Sequence, residues 1–141
     1  MNALQIIERD HRAAEKLINE YDNATDDTRE DMEGKIFAAL TTHEKMEDDY
    51  FYPALSKSLG DDDTVNELER EQKILETEVA AVKLLPVGRE AALKAALGRV
   101  LEHAQKEERE VFPKAEAALR AEELDALGTQ MEPHSAVANE G

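Results

Sequence analysis

The sequence has no cysteine and no tryptophan, only 4 prolines and 6 glycines, and 4% aromatic residues. Without cysteine there are no disulfides, thiolate zinc sites or iron–sulfur clusters. No apolar run approaches the roughly 20 residues that a membrane-spanning helix needs. The first residues, Met1-Asn2-Ala3-Leu4-Gln5, carry neither the basic nor the apolar region of a secretory signal. Together these absences predict a cytoplasmic protein with no membrane association. Cations are scarce too: 17 Lys and Arg stand against 33 Asp and Glu, a formal net charge of -16. Such a surface repels nucleic acid, which excludes it as a partner. No feature of the sequence names a protein partner.

What is present is a periodic, helix-forming chain. At 141 residues and 41% hydrophobic content, it suits one domain with a core that needs no covalent staples. Four segments repeat apolar residues at spacings of three and four. The first stripe is Leu4, Ile7, His11, Ala14, Ile18 and Tyr21; the second is Ile36, Leu40, His43, Glu47, Tyr50 and Ala54. The third runs Val65, Leu68, Gln72, Leu75, Val79 and Val82, and the fourth Leu93, Ala96, Val100, His103, Glu107 and Glu110. Between them lie a polar cluster over Asn23 to Thr28, a capping run from Gly60 to Thr64, and Leu85-Pro86-Val87-Gly88. Short connections favour antiparallel neighbours. The expected fold is all-α: an up-down-up-down four-helix bundle over residues 1–128, closed by a short helix from Glu122 to Leu127. Residues 129–141 read as a disordered tail.

Each stripe is broken near its middle by a polar group: His11, then His43 with Glu47, then Gln72, then His103 with Glu107. Burying a charge is costly unless it is paired or bound to a metal. Four such groups at similar depth point to one shared polar site. The chain also repeats itself. His43, Glu47, Asp48, Phe51, Tyr52 and Pro53 align with His103, Glu107, Glu108, Val111, Phe112 and Pro113 at an offset of 60. Glu8-Arg9-Asp10-His11-Arg12 aligns with Glu69-Arg70-Glu71-Gln72-Lys73 at an offset of 61. With 33 acids in 141 residues a single His-x3-Glu carries little information; the long pattern occurring twice carries much more. Two helix pairs about a pseudo-twofold axis would bring these positions together. Pro53 and Pro113, matched in the two halves, predict matched kinks or bends in their helices.

His and Glu at i and i+4 share one helix face. Imidazole with carboxylate suits iron, manganese or zinc. Glu47 and Glu107 can bridge two cations while His11, His43 and His103 cap them, leaving open positions for a small ligand. Asp48 and Glu108 fall outside that set, where they would orient a histidine. Tyr50, one turn past Glu47, is the tyrosine expected nearest the site, and His134 is expected to be solvated.

These residues resemble a hemerythrin-like domain, also called an HHE cation-binding domain, over roughly residues 4–120. The resemblance rests on His11, His43-x3-Glu47 and His103-x3-Glu107. It implies a four-helix bundle with a non-haem di-iron centre, two irons bridged by Glu47 and Glu107. It also implies that the chain binds or senses dioxygen, nitric oxide or redox state, or handles peroxide. One position departs from the family: the third helix carries no histidine, and Gln72 stands where His11 has its counterpart. Gln72, Glu69 or Glu76 could fill the gap, or solvent could, leaving the second metal to His103 and the bridging carboxylates; Glu110 is an outside candidate. The departure predicts unequal metals and an open centre. Two alternatives stand beside a binder or sensor. One is a metalloenzyme of the peroxidase or nitric oxide reductase type; the other is a structural bundle with a decayed site. A ferritin-like oxidase fits poorly, because Glu8-Arg9-Asp10-His11 is the only Glu-x-x-His.

Overall fold

Asn2 starts the first helix with a reciprocal cap. Its side chain accepts from the Gln5 amide at 2.9 Å, and the Gln5 side chain accepts from the Asn2 amide at 2.8 Å. The structure is a computed structural model that describes residues 1–140. Helix α1 covers Ala3–Asp22. Helix α2, Asp26–Met46, runs through a π turn, Glu47–Phe51, directly into α3, Tyr52–Leu59. Helix α4 covers Asp63–Lys83. Helix α5, Arg89–Lys106, runs through a second π turn, Glu107–Val111, into α6, Phe112–Ala118. These four rods alternate in direction and form the expected bundle. Helix α7, Ala121–Met131, crosses one end against α1. Among the described residues no helix is long and apolar enough to cross a membrane.

The chain breaks have local causes. Asp62 caps α4 by accepting from the Val65 amide at 3.0 Å, and Lys114 reaches the same carboxylate at 2.9 Å. Gly88 precedes α5 with φ 73°, a conformation open to glycine. The first turn of α2 begins earlier than expected: Asp26 and Asp27 are already helical. Acids in a first turn face the positive end of the helix dipole, so the polar cluster favours the helix rather than delaying it. The two prolines act alike. Neither Pro53 nor Pro113 has an N–H to continue the α ladder. The ladder instead widens by one residue just before each, with Tyr52 N–H donating to the Glu47 carbonyl and Phe112 N–H to the Glu107 carbonyl.

The core lies in two parts. One contains Ile6, Ile7, Phe51, Tyr52, Leu55, Leu68, Val111 and the α7 residues Leu124, Leu127 and Met131. The other contains Ile18, Tyr21, Ile36, Phe37, Leu40, Val79, Val82, Leu93 and Leu97. Between them sits a polar layer: His11, Glu47, Gln72, His103 and Glu107 are all buried. Within the second part, the buried Glu33 accepts from Tyr21 Oη at 2.6 Å and Arg89 Nε at 2.9 Å, tying α1, α2 and α5 together.

The expected disordered tail needs correction. The last helix extends to Met131, and turns of 3-10 helix follow over Glu132–His134 and Val137–Asn139. Met131, Ser135 and Ala136 are buried; Gly141 lies outside the described residues. The segment has no long apolar stripe, so local periodicity cannot announce it. Its order comes from tertiary polar contacts. Arg9 Nη2 reaches Glu132 Oε2 at 3.0 Å and Ser135 Oγ at 2.9 Å, and Asp10 accepts two of its backbone amides.

Helix α7 meets the start of α1 through Gly128, where an added Cβ would stand 2.3 Å from the Met1 carbonyl oxygen and 2.7 Å from the Asn2 carbonyl carbon. Gly128→Ala should therefore destabilise the fold by about 1–3 kcal/mol despite alanine's better helix propensity. Chemical denaturation checks this; an equal or higher midpoint would refute the close approach.

Candidate metal centre

Four helical rods each deliver one polar group, or two, to the middle of the bundle. Donor atoms of His11, His43, Glu47 and Glu107 all lie within 4.8 Å of one another. His11 Nε2 lies 3.2 Å from Glu107 Oε1, and His43 Nε2 lies 3.2 Å from Glu47 Oε1. The two imidazole rings stand 5.0 Å apart. Nearby, lining the same cavity, His103 Nε2 lies 3.3 Å from Gln72 Oε1.

Each of the three histidines, and Gln72, is backed by a carboxylate. Glu108 Oε2 lies 2.7 Å from His11 Nδ1, Asp10 Oδ2 2.8 Å from His43 Nδ1, and Glu71 Oε1 3.0 Å from His103 Nδ1. Gln72 Nε2 donates to Asp48 Oδ1 at 3.0 Å. A carboxylate on Nδ1 fixes the ring and turns Nε2 inward. The arrangement follows the internal repeat: Asp10 and Glu71 precede the aligned His11 and Gln72, while Asp48 and Glu108 follow the aligned glutamates. Because Asp48 holds the Gln72 amide nitrogen, the Gln72 carbonyl must face His103. With Nδ1–H given to Glu71, a neutral His103 presents a lone pair towards that carbonyl. Two acceptors then face each other, a conflict that a bound cation or a second ring proton removes.

The donor set fits a cation on a second count. His43 Nε2, Glu47 Oε2 and Glu107 Oε1 are buried without a hydrogen-bond partner. Buried polar atoms are rarely left so, and each such group costs about 1–3 kcal/mol. Glu33 marks the contrast: it is equally buried, but both its oxygens are satisfied by side chains.

Charge in the layer is held by protons. Burial disfavours the His11 imidazolium, but the Glu107 and Glu108 carboxylates outweigh it and raise the ring to about 9. Burial likewise opposes a charged His43, yet Glu47 and Asp10 push it well above the usual value. For Glu47, burial and the neighbouring Glu107 charge raise the carboxyl to about 8. Burial works against ionised Glu107 as well, but the His11 bond overrides it and holds the carboxyl below its ordinary range.

Not all expected positions join the centre. The four-donor cluster contains neither His103 nor Gln72, which pair with each other beside it, nor Glu69 and Glu76, which are half-buried; Glu110 is exposed beside Arg109. Glu76 instead faces Asp48, and burial with that neighbour raises it to about 7. Tyr50 points away and stacks on exposed His134, ring centroids 5.0 Å apart. The tyrosine at the site is Tyr52, whose buried hydroxyl donates to Glu107 Oε2 at 2.6 Å. Five residues separate it from Glu47, a spacing that shares a face only across a π turn. The matched prolines were the available signal for that turn. Asp10 and Glu71 were also overlooked, although an acid precedes the aligned position in both halves.

A cavity of about 50 Å³ lies against the cluster. Its walls include Ala13, Ala14, Leu17, Ala39, Leu75 and Val100. Such a space suits a few non-hydrogen atoms without charge.

The comparisons with known proteins agree with this geometry. A family model described as the hemerythrin HHE cation binding domain matches residues 2–115. A crystal structure of a hemerythrin HHE cation binding domain-containing protein from Mycobacterium kansasii superimposes with a TM-score of 0.80. It is 23% identical, and the alignment covers 93% of this chain and 83% of that one; at that identity the likeness speaks for the fold. No curated protein matches the chain.

Two outcomes follow for the metal-free protein. Tyr52→Phe should cost about 1–3 kcal/mol, because it strips a buried carboxylate of its donor; an unchanged denaturation midpoint would contradict that. The pH dependence has a definite sign. A raised His11 stabilises fully below 6.5 and loses that contribution as pH rises through about 9. A raised Glu47 carboxyl acts in the same direction, losing stability between 4.5 and about 8. Stability measured by urea titration should thus fall from neutral to alkaline pH, and a rise across that window would overturn the assignment.

Proposed function

Because the chain belongs to the hemerythrin HHE cation-binding domain family, we propose that its buried His/Glu layer holds two iron ions, with manganese or zinc as substitutes. The observation that carries this reading is the convergence of His11, His43, Glu47 and Glu107 within 4.8 Å, with three of their atoms unsatisfied. In this reading His11 and His43 hold the first ion, His103 and the Gln72 carbonyl the second, and Glu47 and Glu107 serve both. Against a decayed structural site, all three histidines and Gln72 keep a backing carboxylate, and carboxylates left buried without a cation carry a cost that a purely structural bundle has no reason to keep.

The proposed activity is binding or sensing of dioxygen, nitric oxide or redox state in the cytoplasm, without nucleic acid or membrane. Iron supplies open coordination positions and a change of oxidation state. The chain's residues supply the rest. Apolar walls beside His11 and His43 admit a small neutral ligand and exclude bulk water. The Tyr52 hydroxyl orients Glu107 and places one exchangeable proton next to the metal positions. That proton also favours a second reading, a metalloenzyme acting on peroxide or nitric oxide, since such reduction consumes protons.

Iron(II) added without oxygen should bind at about two ions per chain, one more firmly, because an amide oxygen is a weaker donor than imidazole. His43→Ala should abolish the firm ion, and His103→Ala only the other. Uptake should release protons near neutral pH, because His11 and His43 must give them up. Metal analysis and calorimetry in two buffers check both points, and a chain that binds no metal would end the proposal. Exposing the reduced protein to oxygen, nitric oxide and peroxide in turn separates the readings. A reversible spectral change supports a sensor; repeated consumption supports an enzyme.

A further inference from the structure

The segment from Ser135 to Glu140 is joined to the centre through one side chain. Asp10 is 2% exposed. Its Oδ2 accepts from the Ala136 amide at 2.8 Å and lies 2.8 Å from His43 Nδ1, while Oδ1 accepts from the Val137 amide at 3.0 Å. The same carboxylate therefore orients a candidate metal ligand and anchors this segment.

The segment is internally built for that role. Arg9 and the Ala138 amide both donate to Ser135 Oγ, at 2.9 Å and 3.1 Å. Asn139 Nδ2 donates to the Pro133 and Ser135 carbonyls at 3.0 Å and 2.9 Å. It also occupies a particular place. Ala136 and Glu140 line the 50 Å³ cavity beside the cluster and also an outer groove of about 760 Å³. Leu17 and Ala39 line both as well. The segment stands between solvent and the ligand cavity.

We infer that residues 135–140 form a strap that positions His43 through Asp10 and covers the cavity beside the metal, so that strap docking and metal binding favour each other. The inference rests on the metal-binding reading. A metal on His43 Nε2 sharpens the Nδ1–H donation to Asp10, which holds Asp10 where the Ala136 and Val137 amides find it. Reciprocity follows: whatever the metal does for the strap, the strap does for the metal. Asp10 is a positioning residue here, acting through His43.

The test uses zinc(II), which has no redox chemistry, on the full chain. Zinc stoichiometry is measured by calorimetry, and amide hydrogen exchange is followed with and without the ion. Exchange at Ala136 and Val137 should slow about fivefold or more, matching the usual size of such coupling. Exchange that is unchanged while zinc is bound would overturn the strap and leave the metal reading standing; no bound zinc would sink both. Two variants extend the test. Removing residues 136–141 should weaken zinc by about the same factor and speed its extraction by a chelator. Asp10→Asn keeps the side-chain shape but disturbs acceptance from both sides. Once Asp10 is Asn, the deletion should weaken zinc no further, because the strap reaches His43 through Asp10. Additive losses would show that Asp10 and the strap act separately, and would refute the link. Should either variant fold poorly, the exchange experiment on the unaltered chain still decides.

Discussion

Two carboxylates buried side by side in the middle of a helical bundle are the constraint from which the rest of this structure follows. Glu47 and Glu107 are 1% and 0% exposed. Each ionised group carries a desolvation penalty of several kcal/mol, and each raises the penalty of the other. Nothing apolar can compensate them. The core is accordingly interrupted at their level and resumes above and below. The layer between is filled with groups that offer protons or positive charge, and those are in turn held by Asp10, Glu71 and Glu108. A metal-free chain meets the requirement with protons on histidine and glutamate; cations would meet it with fewer atoms left unpaired.

The centre is nearly symmetric, with two departures. The backing acids match in all four quadrants. His11, however, is answered by Gln72, and Tyr52 by Phe112. Glu107 Oε2 therefore receives the Tyr52 hydroxyl, whereas no phenol reaches Glu47 Oε2, which stays unpaired. One end of the cluster is rich in imidazole and the other relies on an amide oxygen. The difference is a sound physical basis for two metal positions of unequal strength, and for one of them being the more open to a ligand.

The irregular parts of the backbone serve the same centre. A regular α-helix would set Tyr52 about a third of a turn off the Glu47 face; the π turn restores it. The polar segment after α7 has little apolar surface with which to pack, yet it is ordered because Asp10 needs donors and two backbone amides supply them. In both places the backbone departs from regularity where a buried carboxylate would otherwise be short of partners.

The four rods, their directions and the polar layer were legible in the sequence. Spacings of three and four define faces without reference to the rest of the chain, and a repeat at an offset of 60 or 61 implies a pseudo-twofold pairing. His11, His43, Glu47, His103 and Glu107 could be picked out because a charged group on an apolar stripe is anomalous locally. Among Gln72, Glu69 and Glu76 no choice was possible that way, since all three sit on or beside one stripe. Only packing shows which side chain reaches the axis. The same holds for Tyr52 against Tyr50, decided by one extra residue in a helical turn, and for residues 129–140, whose order depends on a carboxylate more than 120 positions earlier. Periodicity along the chain determined the bundle and its centre. The hydrogen-bond partners of buried acids, which are long-range by nature, were decided by the tertiary structure alone.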